Sequence, residues 1–141
     1  MGVEEAVGGD VADSARGDRV AWCAAPGSYA EKVAVPAAAA IAVPDSVPAP
    51  QAASALLQGM TAHYLAHSTY PIRSGDTVLV HAGAGGVGLI LTQMATTLGA
   101  RVITTVSSDA KEQLSRDAGA HEVLRYDDDI VTVSAAPGGG S

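Results

Sequence analysis

Gly83, Gly85 and Gly88 stand at the spacing G-x-G-x-x-G within the run Thr77-Val78-Leu79-Val80-His81-Ala82-Gly83-Ala84-Gly85-Gly86-Val87-Gly88. The chemistry open to such a run is the holding of a dinucleotide pyrophosphate. The first glycine allows the tight turn, the second lets backbone approach the phosphates, and the third lets a helix close on its strand. A helix opening at Gly86 would aim its unpaired N–H groups and positive dipole end at the anion. In a chain with 16 glycines the spacing alone is a weak signal. The apolar strand before it and the helical stretch Leu89–Ala95 after it give the motif its context.

A second candidate lies at the end of the next apolar run, Arg101–Val106. An NAD site usually places an Asp or Glu there, about 20 residues beyond the glycines, on the ribose hydroxyls. Here Ser107 and Ser108 occupy that place, with Asp109 just beyond as a helix cap and Lys111 a turn later. Hydroxyls can donate to a 2′-phosphate and Lys111 can neutralise it, so charge favours NADPH over NADH. The bland alternative for Lys111 is an exposed helix lysine. No general acid or nucleophile stands out. His63 and His67 lie one turn apart, but they lack the Glu of H-E-x-x-H and any third ligand, so they are expected on a helix surface with no metal. His81 is expected as a packed strand residue, and Thr61 as a residue opening a helix.

Those candidates need elements to hold them. Thr77–Val80, Arg101–Val106 and His121–Leu124 read as strands, and the stretches from Gly86 to Thr97 and from Ala110 to Ala118 as helices. Gly99 and Gly119 end those helices, and Ser107-Ser108-Asp109 caps the second. Strands alternating with helices imply parallel βαβ units and an α/β fold. Upstream, Arg19–Cys23 and Ser28–Val35 alternate as two strands of a hairpin around Pro26-Gly27, and Ile41–Val43 is a third extended piece. Pro50 suits the first turn of a helix over Gln51–Leu57. Gly59 is expected to break the pattern before a second helix, Met60–His67, which Tyr70-Pro71 stops. The expected organisation is residues 1–47, 48–131 and a disordered tail, 132–141.

Composition narrows the class. The chain has 141 residues, 48% hydrophobic, with no Phe, so its core must be built from Ala, Val, Leu and Ile. A net charge of −7 argues against nucleic acid and anionic membrane surfaces as partners. One cysteine, Cys23, offers neither a disulfide framework nor a zinc cluster. The acidic start, Met1 to Glu5, is unlike a secretory signal, and Val33–Val43 is too short to span a bilayer. A cytoplasmic protein is the expectation.

Four motifs then fall in one order: Gly17-Asp18-Arg19-Val20, Gly27-Ser28-Tyr29-Ala30-Glu31, Leu57-Gln58-Gly59-Met60-Thr61-Ala62-His63-Tyr64-Leu65, and Val80 to Gly88. Together they resemble the quinone oxidoreductase (zeta-crystallin-like), zinc-independent branch of the medium-chain dehydrogenase/reductase superfamily, over roughly residues 15–131. The resemblance implies a GroES-like β domain and a Rossmann domain that binds NADPH. It implies hydride transfer to a quinone or α,β-unsaturated carbonyl without metal, and a homodimer in full-length members. It places the pyrophosphate and nicotinamide ribose on Ala84, Gly85, Gly86 and Val87, the 2′-phosphate among Ser107, Lys111 and Tyr126, and Thr61 near the nicotinamide. Tyr29 belongs to the hairpin motif and is expected to be structural. Family members are more than twice as long, so the expectation is a truncated chain with a partial Rossmann fold after a partial β domain. Two alternatives stand beside the reductase: an inactive remnant with a partial nucleotide site or interaction surface, and an enoyl-reductase piece of a polyketide synthase.

Overall fold

The computed structural model describes residues 1–127, which pack as two units dividing between Leu57 and Gln58. The stretch 132–141 lies outside the described residues, as do Asp128 and Asp129.

In the first unit, β1 (Gly2–Val3), β2 (Arg19–Ala21) and β3 (Ile41–Ala42) form an antiparallel sheet with β2 in the middle. Gly2 pairs with Val20 on one side, and Val20 with Ala42 on the other. Val20 and Ala21 are the buried residues of β2. Both edges of β2 are therefore occupied, which leaves none for the expected strand Ser28–Val35. That segment is a loop, and Tyr29 is fully exposed rather than packed in a hairpin. The indole of Trp22 donates to Ser28 Oγ at 2.8 Å, and Ser28 Oγ to the Ala25 carbonyl at 2.6 Å, which closes the turn. Arg19 donates to the carbonyls of Pro44 (3.0 Å), Asp45 (3.2 Å) and Val47 (2.7 Å). One guanidinium thus satisfies a proline-rich stretch that has few backbone donors of its own.

The helix α1 (Ala49–Tyr64) carries the chain across the division without a break at Gly59. A glycine costs a helix only about 1 kcal/mol relative to alanine. Ala, Leu, Gln and Met on either side, all good helix formers, outweigh it. The helix widens into a π turn, Leu65–Thr69, where the Tyr70 amide reaches the Leu65 carbonyl at 3.2 Å. Pro71 cannot donate a further helical bond and holds Tyr70 extended, so the helix stops there.

The second unit is a parallel sheet in the order β4 (Thr77–Val80), β5 (Arg101–Val106), β6 (Glu122–Arg125). Val80 pairs with Thr104, and Val106 with Arg125. The connections are α2 (Gly86–Thr97), which packs on β4 and β5, and α3 (Asp109–Asp117), which packs on β5 and β6. Five of the six β5 residues are buried, as befits a central parallel strand. Val80, Ala95, Ala100 and Val102 form the core, with Ile72, Val78 and Leu91 against them. Small residues let α2 lie close: its buried positions, Gly88, Thr92 and Ala95, follow helical spacing. Among the buried polar groups, Thr104 and Ser115 join hydroxyls at 2.7 Å between β5 and α3.

Candidate functional site

The turn after β4 is fastened from below by one residue. Thr105, buried in β5, takes the Ala82 amide on its hydroxyl at 3.2 Å, and its carbonyl takes the Gly83 amide at 3.0 Å. His81 Nδ1 lies 3.1 Å from the same hydroxyl. His81 is therefore tied to the turn just past the strand, and it is exposed rather than packed. The sharp bend is made not at Gly83 but at Ala82, whose φ of 52° lies in the left-handed region. Gly83 is needed for close packing instead: a Cβ there would stand 2.4 Å from Thr104 Cβ and 2.8 Å from Ser115 Oγ. Gly88 brings helix and turn together, for a Cβ would stand 2.3 Å from the Ala82 carbonyl oxygen and 2.9 Å from Gly83 Cα.

Gly85 is the N-cap of α2 and has no side chain to cap with. Its amide donates to Ala82 at 2.8 Å and its carbonyl receives Leu89 at 2.9 Å, the first helical bond. The amides of Gly86, Val87 and Gly88 are then the unpaired donors of the helix start. A Cβ at Gly85 would meet only the Ala82 oxygen, at 3.1 Å. The cradle thus fits a phosphate: amide donors of the helix start lie together and the dipole is positive. Ala84 is half-buried beside it. Gln58 of α1 borders the cradle, with its Cγ 3.1 Å from where a Gly86 Cβ would be. Thr61, half-buried and inside α1 rather than at a helix start, lies three residues on, along the same side of the helix as Gln58.

At the end of β5, Lys111 Nζ donates to Ser107 Oγ at 3.0 Å, while Ser108 caps α3 by accepting from the Lys111 amide at 3.4 Å. Tyr126 donates its amide to the Val106 carbonyl at 3.3 Å, which sets the half-exposed tyrosine beside the same strand end. Arg125, the last residue of β6, bonds Asp109 and stands 3.7 Å from Glu112, both in the first turn of α3. Both places lie outside the carboxyl ends of parallel strands, where α/β sheets bind ligands. His63 and His67 face each other with ring centroids 4.4 Å apart. No group of three metal-ligating side chains is found among the described residues, and no helix there is long and apolar enough to cross a membrane. Sequence reasoning missed Gln58, Thr105 and Arg125. Thr105 alone left a trace, as a polar β-branched residue in a strand otherwise fit for burial.

A parallel β-α-β-α-β unit with a glycine cradle after its first strand defines half of a Rossmann dinucleotide fold. The family model described as zinc-binding dehydrogenase matches residues 86–140. The quinone oxidoreductase of Pseudomonas aeruginosa is 44% identical over 126 residues, covering 89% of this chain and 39% of that protein. A mycobacterial protein solved with NADPH superposes with a TM-score of 0.87 at 57% identity, over 93% of this chain and 41% of its own. The Escherichia coli quinone oxidoreductase, also solved with NADPH, gives 0.89 at 39% identity, over 94% and 41%. A reducing polyketide synthase of Cochliobolus heterostrophus is 39% identical across 80% of this chain and 4% of the synthase. Over the matched segment the chain is similar to quinone oxidoreductases of the medium-chain dehydrogenase/reductase superfamily. It spans about two fifths of the length of the curated quinone oxidoreductase it matches.

Proposed function

We propose that this chain carries the coenzyme-binding half of an NADPH-dependent reductase acting on a quinone or an α,β-unsaturated carbonyl. The observation that carries the reading is the pairing of Lys111 with Ser107 at the very strand end where an NAD site keeps its carboxylate. Backbone from Gly83 through Ala84, Gly85, Gly86 and Val87 to Gly88 takes the pyrophosphate. Ser107, Ser108, Lys111 and Tyr126 take the 2′-phosphate, and Thr61 lies toward the nicotinamide. The Ser108 hydroxyl accepts the Lys111 amide and still has its O–H to donate. NADPH when bound supplies the hydride. The chain's own contribution is to fix that donor in place, which is most of what such a transfer asks of a protein.

In this reading residues 1–47 are the substrate-side β portion and 48–131 the nucleotide portion, in a cytoplasmic homodimer that needs neither metal nor nucleic acid. The polyketide synthase match favours one second reading, an enoyl reductase, whose substrate is an unsaturated thioester. Titration of the chain with NADPH and NADH, followed by nicotinamide fluorescence, tests the site. Turnover of 1,4-benzoquinone against crotonyl thioester separates the two substrates, and binding without turnover of either favours a non-catalytic nucleotide-binding piece. Lys111→Glu should weaken NADPH by roughly tenfold or more and NADH far less. Equal loss of both would overturn the 2′-phosphate assignment.

A further inference from the structure

The first turn of α3 carries the lysine that serves a 2′-phosphate and also two carboxylates, Asp109 and Glu112, that would repel one. Acidic residues suit a helix start, yet Asp109 sits immediately after the two serines, and its side chain is 99% exposed. Unopposed, it would do what the acidic residue of an NAD site does.

It is not unopposed. Arg125 comes from another element, the end of β6, and its guanidinium bonds Asp109 and lies 3.7 Å from Glu112. Glu112 is held in addition by Arg116, with contacts of 2.7 and 3.0 Å. Arg125 is itself only 27% exposed, so the strand end holds it in place. Arg125 thus engages both carboxylates and Arg116 shares Glu112, while the Lys111 ammonium bonds Ser107. Loss of Arg125 removes the ion pair with Asp109.

We propose that Arg125 is a specificity-determining residue: by engaging Asp109 and Glu112 it removes their charge from the 2′-phosphate site and sets the preference for NADPH over NADH. This rests on the nucleotide site proposed above. Arg125 acts through the carboxylates and not on the coenzyme, so most of its effect must be lost when Asp109, its hydrogen-bonded partner, is neutral.

The test is equilibrium titration of wild type, Arg125→Gln, Asp109→Asn, the double variant, Arg125→Lys and Lys111→Glu with NADPH and NADH at low and high salt. Circular dichroism melts accompany each variant. Arg125→Gln should lower the ratio of NADPH to NADH affinity by about three- to tenfold at low salt, a range reduced by the exposure of Asp109, and by less at high salt. The double variant and Arg125→Lys should both recover the wild-type ratio to within about twofold. An unchanged ratio in Arg125→Gln, an equal loss of both coenzymes, or no recovery in the double variant would overturn the proposal. Lys111→Glu separates the levels. If it abolishes the preference while Arg125→Gln does not, the role of Arg125 alone falls; if neither moves the ratio, the site reading falls with it.

Discussion

Glycine is required at some positions of this chain and merely tolerated at others, and the difference is measurable. At Gly88 an added methyl would meet backbone, the Ala82 carbonyl and Gly83, neither of which can swing aside as a side chain does. Gly88→Ala should cost about 1–3 kcal/mol and abolish coenzyme binding, read by a thermal melt and a fluorescence titration. At Gly59 the same methyl meets nothing, and the residue is in the body of α1. Gly59→Ala should stabilise the chain by about 0.5–1 kcal/mol, and an unchanged or lower melting point would count against the continuous helix. The fingerprint gives the positions of the two close-packed glycines but not the left-handed residue, which is Ala82. A backbone angle is set by the whole turn, and alanine in that region leaves no mark on composition.

Among elements, the join between β5 and α3 is polar at its centre. Ser115→Ala leaves the buried Thr104 hydroxyl without its partner and should destabilise by about 1–3 kcal/mol. Adding Thr104→Val should recover part of that loss, and a chemical-denaturation double-mutant cycle measures the coupling; strict additivity would contradict it. The strands and helices of this second unit were legible because their order is written locally, in apolar runs, glycine stops and the Ser107-Ser108-Asp109 cap, within which Ser108 and not Asp109 is the capping residue. What was not legible was pairing between distant segments. Ser28–Val35 alternates as well as any strand, but β1 and β3 already flank β2, and nothing near residue 28 announces that. The glycine turn after β4 and the position of Ser107 and Lys111 at the end of β5 could be read in advance. The engagement of Arg125 by α3 could not, since it joins residues 16 apart across a crossover.

At the scale of the molecule, the sheet of the second unit has one central strand and two edges, and β4 pairs on a single side among the described residues. Leu79, partly exposed on that strand, adds an apolar side chain to a row of free backbone groups. The chain by itself should therefore associate as its concentration rises, which analytical ultracentrifugation would detect; a concentration-independent monomer would refute this. The absence of phenylalanine and the position of Trp22 have a separate consequence, an optical one. The only tryptophan lies in the first unit, and the second holds just three tyrosines, Tyr64, Tyr70 and Tyr126, each about half exposed. Indole emission is therefore a reporter of the antiparallel sheet, while the nucleotide fold is nearly dark, its one chromophore at the proposed site being the phenol of Tyr126.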